Sequence, residues 1–204
     1  MKKILSVILI TMLLAVSAFS VYAAAAQEKA RSPSIMGCIS PQVKQYVLEK
    51  YGDAQSIDAL LLKIEQYATD NFSYNYKQAK HQVFQYFDFC DFVNGTTLYS
   101  EGKYSGVCFD FSLYVKTCVE TVAGEKGWGH IKAYYADLKS LRSAKSNHAL
   151  NIIVDQKTNR TIIFDVTSDI SQKNAGQKPL GPFIYDGDVE LYFKTIGYKL
   201  RKTI

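Results

Sequence analysis

Excess charge, internal repeats and low-complexity segments are all missing from this chain. Its 24 Lys and Arg against 19 Asp and Glu leave a formal charge of +5 over 204 residues, too small an excess to predict nucleic-acid binding. The hydrophobic share of 48% and the charged share of 21% are those of a folded globular protein, which excludes disordered and collagen-like classes. No short cluster of His, Cys or carboxylate residues predicts a metal site or a calcium loop.

The first 26 residues differ from the rest. Two lysines open the chain after Met, an apolar run extends from Ile4 to Tyr22, and alanines occupy 23–26. These are the three parts of a secretory signal peptide, and we expect cleavage after Ala23 or Ala26. Because the run is near the ~17-residue lower limit for a spanning helix, an uncleaved anchor is the alternative. The prediction is a secreted, periplasmic or cell-surface protein.

Residues 27–204 have the length of a single domain with its own core. Two helices are predicted first, one from Ser40-Pro41 to Gly52 and one that begins after Ser56. The aromatic-rich segment that follows fits no single period, and we expect mixed turns and short helix there. Near the C-terminus, an alternating apolar run from Val189 to Leu200 predicts an edge strand that covers part of a groove.

A cysteine in the stretch SGVCFDFSLYVKTCVE is the first candidate for chemistry. Apolar residues at helical spacing predict a helix from about Val107 to Val122, and Ser105 and Gly106 supply a tight entry to it. Cys108 then lies in the first turn, where backbone N–H groups and the helix dipole favour a thiolate. Three interpretations of Cys108 stay open: a nucleophile, a buried thiol or half of a disulfide.

The other cysteines limit the disulfide interpretation. Cys108 and Cys118 on one helix would lie ~15 Å apart at 1.5 Å per residue, beyond the ~7 Å that a disulfide spans. They therefore do not pair with each other. In an exported protein, two of the three cysteines Cys38, Cys90 and Cys118 can form one bridge and leave one over, and the sequence does not decide which two pair.

A base for this thiol must come from three histidines. His148 opens the apolar run HALNIIVD, and the polar turn QKTNR separates it from the run TIIFDVTSD, a pattern that predicts an antiparallel hairpin. With the turn centred near 156–158, Asp165 is a direct or diagonal cross-strand neighbour of His148, within hydrogen-bonding reach. Asp165 would be costly to bury in an apolar strand without such a partner.

The alternative base and acid are His130 and Asp137. Their strand, IKAYYAD, lacks a hairpin partner in the sequence to bring the two side chains together, so this pair is the weaker candidate. The third histidine, His81, lies among polar residues, and we expect it on the surface. Asp110, in the first turn of the cysteine helix, is expected to complement the helix dipole rather than to take part in catalysis.

Three short motifs in this order resemble the transglutaminase-like superfamily, whose papain-like fold includes transglutaminases and related bacterial cysteine proteases. The superfamily has Gly-x-Cys-x-Asp/Glu at a helix start, His-Ala-x-Asn at a strand start and Asp-x-Thr on the next strand. The matching segments here are Gly106-Val-Cys108-Phe-Asp110, His148-Ala-Leu-Asn151 and Asp165-Val-Thr167. The resemblance covers about residues 56–170. It implies an α+β fold with N-terminal helices, in which the helix that begins at the nucleophile packs on an antiparallel sheet.

The resemblance also implies thiol acyl chemistry on amide bonds, without a cofactor. Cys108 would attack the carbonyl, His148 would transfer the proton and Asp165 would orient the imidazole. The backbone N–H of Cys108 would stabilise the oxyanion, with Tyr86 or Tyr104 as candidates for a second donor. The implied substrates are proteins or peptides, including cell-wall peptides, and hydrolysis is favoured because water is abundant. Cross-linking by a transglutaminase, deamidation and a non-catalytic peptide-binding role are the alternatives.

Overall fold

The computed structural model describes residues 41–81, 99–100, 103–143, 147–185 and 187–203. Within these residues the helices are α1 (Pro41–Tyr51), α2 (Ile57–Asn71), α3 (Tyr76–His81), α4 (Cys108–Glu125), α5 (Val166–Asn174) and α6 (Val189–Thr195). The strands are β1 (Phe72–Tyr74), β2 (Tyr99–Ser100), β3 (Lys103–Gly106), β4 (Ile131–Ser140), β5 (Asn147–Asp155), β6 (Arg160–Phe164), β7 (Phe183–Ile184) and β8 (Tyr198–Thr203).

Both predicted N-terminal helices are confirmed, and their ends follow from local chemistry. Helix α1 begins at Pro41 and buries Val43 and Val47. Helix α2 begins after Ser56, whose side-chain oxygen accepts a hydrogen bond from the Ala59 N–H at 3.2 Å, and this N-cap satisfies one of the first-turn donors. The predicted signal peptide lies outside the described residues. Across the ranges that the structure describes, every helix is too short or too polar to cross a membrane.

The centre of the fold is a five-stranded antiparallel sheet in the order β7-β6-β5-β4-β8. The predicted hairpin is confirmed as β5 and β6, with Asn151 opposite Phe164 and Asp155 opposite Arg160. One face of the sheet packs against α1, α2, α4 and α5, and the other packs against Phe193 of α6. This arrangement is the predicted α+β fold, in which the cysteine helix lies on an antiparallel sheet.

The C-terminal run differs in part from its prediction. Residues Val189–Thr195 form α6 rather than a strand, and only Tyr198–Thr203 form the expected edge strand, β8, which pairs with β4. The local reason is Asp188, whose carboxylate accepts hydrogen bonds from the N–H groups of Glu190 and Leu191 and caps a helix. An alternating apolar pattern does not reveal such a cap.

A second, small sheet leads the chain into the cysteine helix. Its strands lie in the order β1-β3-β2, with β1 parallel to β3 and Tyr74 opposite Gly106. Part of the aromatic-rich segment therefore forms β1, at the end of α2, and α3 follows it. The parallel pairing places Tyr74 beside the start of α4.

Candidate active site

Cys108 is the first residue of α4, as predicted from the helical spacing. First-turn N–H groups have no partner within their own helix, so the backbone at Cys108 is oriented as an oxyanion donor would be. The thiol is partly exposed and free. It lies beside His148 and helps to raise the pKa of the imidazole.

The entry to α4 is tightly packed. The Val107 N–H donates to Asp110 Oδ2 at 2.9 Å, so the buried Asp110 carboxylate holds the first turn from within. A Cβ at Gly106 would lie 2.9 Å from Tyr104 Cε1 and 3.0 Å from Asp110 Oδ2. Only glycine fits this position without displacing the turn that carries Cys108.

His148 and Asp165 are in direct contact, with 2.7 Å between His148 Nε2 and Asp165 Oδ2. Because Nε2 faces the carboxylate, Nδ1 is the ring nitrogen left to face the Cys108 thiol. The two side chains retain 19% and 24% of their exposure, so a substrate can reach them. The histidine thus lies between the predicted nucleophile and the predicted acid.

The placement of Asp165 corrects one prediction. Strand β6 ends at Phe164, and Asp165 is the N-cap of α5 rather than a strand residue opposite His148. Its Oδ1 accepts from the Ser168 N–H at 3.1 Å, and its Oδ2 accepts from the Ser168 hydroxyl at 2.7 Å. The helix start therefore orients the carboxylate toward His148, which two flexible strand side chains alone would not do.

The site electrostatics favour a charged pair. Burial lowers the pKa of His148, but the hydrogen bonds to Asp165 and Cys108 outweigh burial and raise this pKa well above its ordinary value. Burial raises the pKa of Asp165, but the hydrogen bonds from His148 and Ser168 leave it below its ordinary value. The raised pKa of His148 and the lowered pKa of Asp165 both favour the charged forms of this pair.

Asn151, the last residue of the predicted histidine motif, has a structural role. It is fully buried, and its Nδ2 donates to the Ser112 carbonyl of α4 at 2.9 Å. This bond ties β5, which carries His148, to α4, which carries Cys108. Tyr198 of β8 adds a ring contact to His148, with 5.9 Å between ring centroids, so the C-terminal strand reaches the site, while its covering of a groove stays a prediction.

Sequence reasoning missed Tyr74. Burial and the nearby Cys108 raise the pKa of its phenol to about 12. Together with His148 and α5 it lines an open depression of about 300 Å³, which we call the α5 depression. The local sequence contains no signal for this placement, since it results from the parallel pairing of β1 with β3 across some thirty residues of chain.

The candidates for a second oxyanion donor stay predictions. Tyr86 lies outside the described residues. The Tyr104 ring is buried between Phe72 and Phe111, at centroid distances of 5.2 Å and 6.1 Å. Burial and, to a smaller extent, the charge of Asp110 raise the pKa of the Tyr104 phenol. The phenol therefore lies near the entry to α4.

The alternative pair, His130 and Asp137, is not brought together. Six residues of strand separate them, or ~20 Å. His130 instead lies 3.8 Å from Asp155, and Asp137 lies 3.6 Å from Arg201. The prediction that this strand lacks a hairpin partner is wrong, because β4 pairs with β5 on one side and with β8 on the other.

Two further observations bear on the cysteines and on metals. Cys118 is fully buried and free, while Cys38 and Cys90 lie outside the described residues, as does any bridge between them. The side chain of His81 is likewise outside the description. Among the residues that are described, no group of three or more His, Cys, Asp or Glu side chains is arranged to hold a metal ion.

No family model matches the sequence, and no curated protein matches it. Two solved structures are similar to this chain. A candidate cysteine protease from Cytophaga hutchinsonii is 14% identical with a TM-score of 0.45, over 80% of this chain and 49% of that one. A TGase is 17% identical with a TM-score of 0.38, over 89% of this chain and 44% of that one. The chain thus spans about half the length of the solved chains it resembles.

Proposed function

We propose that this protein is an exported thiol enzyme that hydrolyses amide bonds in proteins or peptides, including cell-wall peptides. Its catalytic residues are Cys108, His148 and Asp165. One observation carries the proposal: the His148 imidazole is hydrogen-bonded to the Asp165 carboxylate and lies close enough to the Cys108 thiol for that thiol to raise its pKa. A cysteine nucleophile requires a base and a group that orients the base, and this chain offers both.

The reaction follows from this arrangement. Cys108 Sγ attacks the carbonyl carbon, and His148 Nδ1 takes the thiol proton and passes it to the leaving nitrogen as the C–N bond breaks. The product is a thioester on Cys108. Water then attacks the thioester, His148 takes one of its protons, and the C–S bond breaks to release the acid while His148 returns that proton to Cys108 Sγ. Throughout, Asp165 holds the imidazole by the bond to Nε2, and the first-turn N–H of α4 donates to the oxyanion.

Alkylation of the purified protein with iodoacetamide, across pH and with mass-spectrometric assignment of each cysteine, tests the proposal. At pH 7 an isolated thiol with a pKa of ~8.5 is only about 3% ionised. We therefore expect His148→Ala to slow labelling of Cys108 by up to about 30-fold at this pH. Cys118 is the internal control, since it is fully buried and should react only after unfolding.

The outcomes separate the candidate functions. Fast labelling of Cys108 that depends on His148 justifies incubation with peptides, in which hydrolysis gives two fragments, deamidation leaves the peptide intact, and cross-linking joins two peptides. Slow labelling of Cys108 that ignores His148 would contradict the proposal, and the non-catalytic peptide-binding role would take its place.

A further inference from the structure

The α5 depression beside His148 is lined mainly by uncharged polar side chains. Besides Tyr74 of β1 and His148 of β5, its described lining consists of one face of α5, namely Thr167, Ser168, Ser171 and Gln172. Hydroxyl and carboxamide groups are therefore the polar groups that the α5 wall offers to a ligand. Among the described lining residues, only His148 carries a charge near neutral pH.

The position of the α5 depression relates it to one side of the substrate. In the proposed reaction His148 passes a proton to the leaving nitrogen, so the leaving part of the substrate must lie against the imidazole, while Cys108 holds the acyl part. The described lining includes His148 but not Cys108. The residue that follows the scissile bond therefore faces the α5 depression.

The α5 wall has unused hydrogen-bonding capacity. Thr167 is only 5% exposed, and its Oγ1 has no hydrogen-bond partner among the described residues. Gln172 Oε1, about one turn further along α5, is also buried and has no hydrogen-bond partner among the described residues. Buried polar atoms in folded proteins are normally paired. An apolar side chain in the α5 depression would leave both atoms unpaired, whereas a polar one can pair with them once their side chains rotate toward it.

Charge narrows the choice of ligand further. A carboxylate in the α5 depression would meet the acceptor Oε1 of Gln172 and the nearby negative charge of Asp165, and a lysine ammonium would find no carboxylate in the described lining. We propose that the α5 depression binds an uncharged, hydrogen-bonding side chain, that of Ser, Thr, Asn or Gln, on the leaving side of the scissile amide. This inference rests on the proposed function, and it favours water over a protein lysine as the acyl acceptor.

Chloroacetyl amino-acid amides test the inference without a known substrate. In each probe Cys108 Sγ displaces chloride from the chloroacetyl carbon, forming a C–S bond, while the amino-acid side chain lies on the amine side. Rates for the Gln, Ser, Leu, Glu and Lys probes are each divided by the rate for plain chloroacetamide, which removes differences in thiol reactivity between variants. One neutral hydrogen bond predicts Gln and Ser probes about fivefold faster than the Leu, Glu and Lys probes.

A charge substitution sharpens the test. Gln172→Glu adds a carboxylate to the lining, and we expect the Lys probe to become about fivefold faster relative to the Gln probe. Gln177→Glu is the matched control, because Gln177 is exposed and lies outside the described lining. Its probe ratios should equal those of the unaltered protein. Far-ultraviolet circular dichroism checks that both variants are folded.

The possible results are distinguishable. Preference for the Gln and Ser probes, with a shift toward Lys in Gln172→Glu only, supports the inference. Equal relative rates for all probes, with Cys108 still labelled in a His148-dependent way, overturn the inference and leave the proposed function standing. Failure of plain chloroacetamide to label Cys108 in a His148-dependent way overturns the proposed function, and the inference with it.

Discussion

Helices α4 and α5 each run from the candidate site into the core. Within each helix, one residue type occurs both at the start, beside the site, and further along, in the core. Cys108 starts α4, partly exposed and beside His148, whereas Cys118 is fully buried, and burial raises its pKa. The same thiol side chain is therefore partly exposed at one position of α4 and fully buried at another. The first turn provides solvent access, backbone donors and a charged neighbour, whereas Cys118 is shut off from solvent and has the neutral Tyr114 hydroxyl as a polar neighbour.

The two aspartates of α5 allow the same comparison for a side chain that can carry a charge. Asp165 has His148 and Ser168 as donors, and its pKa is lowered. One turn later Asp169 is 1% exposed, and burial raises its pKa despite the Leu180 and Gly181 N–H groups at 2.9 Å and 3.0 Å. The two carboxyls differ both in exposure and in partner, and only Asp165 has the His148 imidazole beside it to lower its pKa.

The largest expected effect concerns the two cysteines of α4. Cys108→Ala should remove all His148-dependent labelling and all amide hydrolysis, because no other described thiol contacts the imidazole. Cys118→Ala should leave labelling of Cys108 unchanged and lower the free energy of unfolding by about 1 kcal/mol through lost packing. Labelling kinetics and urea unfolding measure the two effects. Hydrolysis that survives Cys108→Ala would disprove the assigned nucleophile.

Asp165→Asn should give the next largest effect. Asn caps a helix as well as Asp does, so α5 should keep its start while His148 loses its charged partner. The pKa of His148 should then fall, and labelling of Cys108 at pH 7 should slow by about tenfold, the equivalent of one pKa unit. Asp169→Asn is the matched control on the same helix and should leave the labelling rate unchanged. Equal rates for both variants would contradict the role of Asp165.

Ser168→Ala should have a smaller effect, of about three- to fivefold on labelling. It removes the hydroxyl donor to Asp165 Oδ2 but keeps the backbone donor to Oδ1. The pKa of Asp165 should rise, so Asp165 becomes protonated at higher pH, and the acid limb of the labelling profile should move upward. Ser168→Thr restores the hydroxyl and should restore the profile. A lower rate at every pH, without this movement, would indicate only a structural role.

The smallest effect is on stability, at Asp169. Its raised pKa means that the ionised form is less stable in the folded chain than in the unfolded one, and Glu65, whose pKa is raised first by burial and then by the charge of Asp169, adds repulsion. Asp169→Asn keeps the acceptor for the loop N–H groups and should stabilise the protein at pH 7 by about 1 kcal/mol. The penalty in the unaltered protein is full above the folded pKa and absent below the unfolded one. Urea unfolding should therefore show the gain shrinking to zero as the pH falls through this window. A gain that persists at low pH would exclude a charge effect.

Much of the site could be predicted because its residues lie in locally regular segments. The helical spacing of apolar residues after Gly106 gives the position of Cys108 in the first turn, and the two β-branched runs around QKTNR give the hairpin that carries His148. The partner of His148 was also predicted, although from strand pairing, whereas Asp165 in fact caps α5. The cap was not predicted because a short apolar strand and the start of a short helix look alike in sequence.

The sequence by itself determined the elements and the order of the candidate groups: a helix that starts at a thiol, a hairpin that starts at a histidine, and an acid that follows it. These depend on periodicity and on turn chemistry, which act between near neighbours. Only the tertiary structure decided that β1 lies parallel to β3 and brings Tyr74 to the site, that Asn151 ties β5 to α4, and that α5 forms one wall of the depression beside His148. Such contacts join segments distant along the chain, and they depend on how whole layers pack rather than on any local pattern.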